Sequence, residues 1–145
     1  MASILLISHE GYASGTKKAV ELILGEQDNV DYHELTGEKG IEKFKEELNS
    51  KINQLTKDKN NLIIVSDLKN GTPYNCALSI IASNNLWENT HLFTGMNLNL
   101  VLEIIMADEE SLEEETQKQI LLTAKEGLFQ MNKKIWDKQC SEQEE

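Results

Sequence analysis

Four short strand-like runs, Ile4 to Ser8, Val30 to Leu35, Leu62 to Ser66 and Thr90 to Thr94, alternate with stretches of helical spacing, which restricts the chain to a layered α/β sheet. After the first run, Ala19, Leu22 and Ile23 make an apolar stripe that stops near Gly25. Ile41, Phe44, Leu48, Ile52 and Leu55 then recur at spacings of three and four, so both segments read as amphipathic crossover helices. A third helix is expected from Thr72 as N-cap with Pro73 at the first helical position, where a missing N–H is no loss. Leu98, Val101, Leu102 and Ile105 mark a fourth. Ile120, Leu121, Ala124, Leu128, Met131, Ile135 and Trp136 keep roughly helical spacing, but Gly127 interrupts them, and Leu128 to Met131 reads equally as a short edge strand. The expected architecture is three-layer α/β/α with a mostly parallel central sheet.

At 145 residues the chain matches one ordinary domain, able to bury a core without disulfides. Residues 1–140 are assigned to that domain and 141–145 to a short acidic tail. No apolar run approaches a membrane span. The start, Met1 to Ile7, lacks a basic region and meets His9 and Glu10 too soon for a signal peptide, so a cytosolic location is expected, with Cys76 and Cys140 as thiols. Cys76 lies in an apolar helical pattern and reads as packing. The formal net charge of −11 opposes broad contact with a phosphate backbone, so nucleic acid is not an expected partner. Part of the acidic excess is local, in Asp108-Glu109-Glu110 and Glu113-Glu114-Glu115, where carboxylates suit a helix start.

Two of the apolar runs end in residues that can do chemistry together, Ser8-His9 and Ser66-Asp67. In an open parallel sheet the carboxyl ends of neighbouring strands face one crevice, where such folds place their ligands. Phosphoryl transfer through histidine needs a nucleophilic ring nitrogen, an acceptor that holds the other nitrogen as N–H, and donors for the phosphoryl oxygens. His9 would attack through Nε2 while Asp67 accepts from Nδ1–H and stabilises the charge that develops on the ring. The loop Asn70-Gly71-Thr72 precedes a helix, so its N–H groups and the Thr72 hydroxyl suit an anion, and Gly71 lets the backbone come close. Gly11 to Gly15 opens the first helix and offers donors of the same kind, and Ser66 offers a hydroxyl. A purely structural pairing that ends two strands also accounts for His9 and Asp67 taken alone.

The order and spacing of these residues narrow the reading. His9 followed by Gly11, Ala13 and Gly15, then Asp67-Leu68-Lys69-Asn70-Gly71-Thr72-Pro73-Tyr74-Asn75, then Gly95-Met96-Asn97-Leu98, resembles the IIA component of the mannose family of the bacterial phosphoenolpyruvate-dependent sugar phosphotransferase system. The resemblance runs from the first strand to about residue 107. It implies a cytosolic phosphocarrier in which His9 takes a phosphoryl group from the phosphocarrier protein HPr and passes it to a IIB component. It also implies Asp67 as the hydrogen-bond partner of His9, Gly71 and Thr72 in the phosphoryl-binding loop, and Asn97 bordering the pocket. Family members are commonly homodimers that exchange a C-terminal strand, so an antiparallel edge strand belongs to the expectation. They act with a membrane sugar permease without themselves entering the bilayer. Departures lie beside the site: Glu10 where the family often has glycine, Lys69-Asn70 in place of Phe-Gly, and Asn99 in place of proline. Glu10 and Lys69 are expected to border the pocket and affect docking.

Other chemistries lack their residues. The chain has no Gly-x-x-x-x-Gly-Lys-[Ser/Thr] loop, no Gly-x-Gly-x-x-Gly and no acidic cluster arranged for magnesium, so no cofactor and no metal is expected. His33 and His91 lie within strands without zinc-type spacing and read as ordinary strand residues. Trp87 and Trp136 read as packing or interface aromatics. Two alternatives remain: the phosphotransfer subunit of a dihydroxyacetone kinase system, which shares the fold and a strand-one Ser-His, and a regulatory module that docks a partner without transferring phosphate.

Overall fold

The computed structural model describes residues 2–108 and 112–144. Strands β1 (Ser3–His9), β2 (Val30–Leu35), β3 (Leu62–Ser66) and β4 (Thr90–Thr94) form one parallel sheet in the order β2-β1-β3-β4. They alternate with α1 (Tyr12–Leu24), α2 (Ile41–Leu55), α3 (Thr72–Ser83) and α4 (Leu98–Ala107). Two further helices follow, α5 (Glu114–Glu126) and α6 (Lys133–Glu144).

The central strands β1 and β3 are apolar on both faces because both faces are covered. Ile4 and Leu6 of β1, with Ile63 and Val65 of β3, pack against α1, α4 and α5 through Ala13, Val20, Leu100, Val101, Ile104, Ile120 and Ala124. Leu5 and Ile7, with Leu62 and Ile64, meet Phe44, Leu48 and Ile52 of α2 and Ala77, Ile80 and Ile81 of α3 on the opposite side. Each fully buried leucine or isoleucine contributes about 2 kcal/mol of transfer free energy, so the two strands that carry the site are also the best anchored. The register pairs Ile7 with Ser66, which brings the residues after β3 level with the end of β1.

Several local expectations shift. In α1 the buried positions are Ala13 and Val20, with Leu24 packed beside them, while Leu22 is 89% exposed and Ile23 also faces solvent. The inward face runs through half-buried Thr16 and Lys17, whose polarity conceals its phase. Helix α3 begins at Thr72 itself, so Gly71 is the N-cap and Pro73 lies one residue deeper in the first turn than expected. Leu128 to Met131 are neither helix nor strand: α5 ends before Gly127 and α6 starts at Lys133. Helix α6 also runs through Ser141, where a tail was expected. Glu114 and Glu115 do sit in the first turn of α5, whereas Glu109 and Glu110 fall outside the described residues.

Gly127 has helical backbone angles, so its lack of a side chain answers to space rather than conformation. A Cβ there would lie 1.6 Å from Nδ2 of Asn99. Asn99 of α4 thus packs over the glycine that follows α5.

His33 is buried and stacks on Phe44, with ring centroids 5.0 Å apart. Burial pushes its imidazole below the ordinary histidine value, and the Lys39 ammonium adds to the effect; burial lowers His91 as well. The unfolded chain therefore binds these protons more readily than the native one, and stability should fall as pH drops through the unfolded value of about 6.5. Urea midpoints are expected to decrease between pH 7.5 and 5.5, and His33→Phe, which keeps the ring contact, is expected to flatten that slope.

Candidate active site

His9 is the last residue of β1, and its side chain follows Leu5 and Ile7 toward the α2 and α3 side of the sheet. Its Nδ1 lies 2.8 Å from Oδ2 of Asp67, and its backbone N–H donates to the same oxygen at 3.0 Å. The other oxygen, Oδ1, accepts from the backbone N–H of Leu68 at 2.9 Å. An ionised carboxylate only accepts, so the proton sits on Nδ1 and the lone pair on Nε2. The Asp67 side chain is 11% exposed and that of His9 is 49% exposed. The orienting acid is thus enclosed and the ring edge is open.

Beside the ring stands the start of α3. A Cβ on Gly71 would lie 3.4 Å from Cε1 of His9 and 3.1 Å from the Leu68 carbonyl oxygen, so a side chain here would touch the ring and press on that carbonyl, which would have to give by a few tenths of an ångström. The Gly71 N–H closes a turn on the Leu68 carbonyl at 3.0 Å, with Asn70 in the left-handed region. The first intrahelical bond runs from the Asn75 N–H to the Gly71 carbonyl. The earlier N–H groups of Thr72 and Tyr74 therefore have no partner within the helix and point, with the positive end of the macrodipole, out of its amino end.

Other expected donors are committed elsewhere. Ser66 is fully buried and its hydroxyl pairs with that of Thr94 at 2.6 Å, which removes it from the role of phosphoryl donor. The Ala13 N–H donates to Ser8 Oγ at 2.8 Å and the Ser14 N–H to Glu34 Oε2 at 2.7 Å, so the amino end of α1 is satisfied internally. Although burial pushes the Glu34 carboxyl up, the N–H and hydroxyl of Ser14 and the N–H of Gly11 hold it below the ordinary value. Asn97 caps α4, accepting from the Leu100 N–H at 2.8 Å. Glu10 accepts from the Gly37 N–H at 3.3 Å, and Lys69 is exposed in the turn after Asp67. Among the described residues, no three His, Cys, Asp or Glu side chains converge as a metal centre requires.

Two partners escaped sequence reasoning. Glu34 pairs with Ser8 in the β1–β2 register, and a carboxylate closing an adjacent strand is the signal that could have found it. Tyr12 donates its hydroxyl to the Met96 carbonyl 84 residues away, and nothing local in the sequence announces that.

The profile of a known protein family, described as the fructose IIA component of the phosphotransferase system and named for mannose-type EIIA, matches residues 3–121. That is most of the chain. The chain belongs to this EIIA family. Its relatives include the sorbose-specific EIIA component of Lacticaseibacillus casei, 32% identical over 101 residues that make up 70% of each chain. Another is the mannose-specific EIIAB component of Escherichia coli K12, 27% identical over 137 residues. The latter match covers 94% of this chain but 41% of the relative, so the chain spans well under half of that longer protein. A IIA protein associated with the fucose utilization operon of Streptococcus pneumoniae superposes with a TM-score of 0.76 at 29% identity, over 90% of this EIIA chain and 96% of the other.

Proposed function

We propose that this EIIA protein accepts a phosphoryl group from phosphorylated HPr on Nε2 of His9 and delivers it to a IIB component, in the cytosol and beside a membrane sugar permease. The supporting observation is the 2.8 Å contact between Nδ1 and Asp67, with the opposite edge of the ring open. In the transfer, the Nε2 lone pair attacks phosphorus as the donor's N–P bond breaks, and that electron pair returns to the donor ring. The Nδ1 proton stays in place, and Asp67 stabilises the positive ring that forms. Thr72, with the first N–H groups of α3, would receive the phosphoryl oxygens, and Gly71 keeps that end of the helix near the ring. Delivery to IIB is the same displacement in reverse, with the partner's side chain as nucleophile. No nucleotide is needed, because in transfer from one phosphohistidine to another the P–N bond that forms matches in free energy the one that breaks.

No described helix is long and apolar enough to cross a membrane, in keeping with action at, rather than within, the bilayer. The relatives' names specify different sugars: mannose, sorbose and, by operon, fucose.

The test is incubation with phosphoenolpyruvate, the general phosphotransferase enzyme and HPr. His9 should gain one acid-labile phosphate and lose it on addition of a cognate IIB protein. Phosphate that forms but never leaves would favour a regulatory module, and acceptance only within a dihydroxyacetone kinase system would move the chain to that branch.

The same reading includes a homodimer. The free edge of β4 borders a groove lined by Trp87, His91, Phe93 and Leu121, and Leu128, Phe129 and Met131 of the same chain lie exposed beyond α5. An unpaired edge beside an exposed apolar segment suits strand addition from a second copy. Sedimentation should report a dimer, and Phe129→Asp should shift it toward monomer by tenfold or more in Kd, from loss of about 1.5–3 kcal/mol of apolar burial.

A further inference from the structure

We propose that Tyr12 is a positioning residue for the transfer: its hydroxyl latches the start of α1 to the β4–α4 connection and thereby sets the width of the crevice that receives the phosphoryl group. This rests on the function proposed above. The hydroxyl donates to the Met96 carbonyl at 2.5 Å, and the Met96 N–H in turn donates to the Ser66 carbonyl at 3.0 Å. The strand order β1-β3-β4 makes this a strap over the end of β3, from which Asp67 emerges. Its three attachment points are the residue one before Asp67, the residue one before Asn97, and the first residue of the helix that follows His9.

Both ends of the strap are themselves fixed. Met96 is 2% exposed, and the Tyr12 carbonyl accepts from Thr16 Oγ1 at 2.8 Å. Gly11, in the left-handed region, turns the chain so that Tyr12 begins α1 beside the crevice. Tyr12 is 47% exposed. It follows His9 by three residues, and the strap it makes ends on the residue before Asp67, so it ties together the ends of the two strands that carry the pair. In-line displacement tolerates little slack between donor nitrogen, phosphorus and acceptor nitrogen. A strap across the mouth limits that slack without touching the reacting atoms.

Tyr12→Phe removes one oxygen and keeps the ring. The transfer rate from phosphorylated HPr at saturating donor should fall about tenfold, with the half-saturating donor concentration changed by less than about twofold, since docking area is retained. The melting temperature should change by no more than about 2 °C. Amide exchange at Asn97 and Leu98 should quicken in the unphosphorylated variant. A Tyr12→Phe protein that transfers at the wild-type rate overturns the proposal. So does one whose loss lies wholly in donor affinity, or one whose slower transfer is accompanied by a general loss of stability. Failure of the unmutated chain to accept phosphate would sink the phosphocarrier function and this role together, whereas a fast Tyr12→Phe variant sinks only the role of Tyr12.

Discussion

His9→Gln should fold as the wild type does and take up no phosphate from HPr, a loss beyond about 10⁴-fold in acceptance rate. The fold is indifferent because the His9 side chain is half exposed and none of the buried residues that hold β1 depends on it. The chemistry is abolished because an amide nitrogen has no lone pair available for attack, and Ser8 offers no substitute, its hydroxyl being buried and donated to the His9 carbonyl at 2.6 Å. Mass measurement after exposure to the phosphorylating mixture reads the outcome directly. Phosphate on the His9→Gln chain would place the acceptor elsewhere, and His33 and His91 are the residues to map next.

Asp67→Ala should slow phosphorylation of His9 by roughly 100-fold while the protein stays folded. Three hydrogen bonds end on this carboxylate: the His9 ring, the His9 N–H and the Leu68 N–H. Without it the ring can rotate, either nitrogen can carry the proton, and the imidazolium that forms on transfer loses its counter-charge. Asp67→Asn separates these contributions. Its amide oxygen can still accept from Nδ1–H and orient the ring, but it carries no charge, so a rate between those of Asp67→Ala and the wild type is expected. Single-turnover rates of the three proteins, measured with one preparation of phosphorylated HPr, decide the matter. Wild-type rates in Asp67→Ala would remove the residue from the mechanism.

The sheet and the His9–Asp67 pair were legible in the sequence for one reason. Leu5 to Ile7 and Leu62 to Val65 are uninterrupted apolar runs whose burial leaves no alternative placement, and the polar residues that close them must then emerge side by side. Helix α2 was equally plain, because Phe44, Leu48 and Ile52 keep one phase and all three are buried. Helix α1 was misread because Thr16 and Lys17 occupy half-buried positions while Leu22 and Ile23 face outward. Ser66 was assigned to the anion because the sequence cannot show which hydroxyl has a neighbour, and Thr94 stands beside it on the adjacent strand. Thr72 was displaced by one position because a threonine before proline and the glycine before it are both acceptable caps. Tyr12 and Met96 met only through the fold. Leu128 to Met131 was ambiguous for a further reason: its side chains lie exposed beyond α5, so no burial pattern selects its conformation.

A parallel sheet also fixes something the amino-acid count conceals. Because each of β1, β3 and β4 is followed by a helix, α1, α3 and α4 all point their amino ends at the same rim, each carrying about half a positive elementary charge. At α1 the Ser14 N–H is taken by Glu34, whereas at α3 the N–H groups of Thr72 and Tyr74 have no partner within the helix, so a molecule of formal charge −11 keeps a patch of positive partial charge near His9. Beyond about 8 Å at physiological ionic strength the acidic body is screened, and an approaching phosphoryl group feels this patch ahead of the body's repulsion. The partial charges at the start of α3, opposite in sign to the molecule as a whole, favour the approach of an anion to the ring from that side.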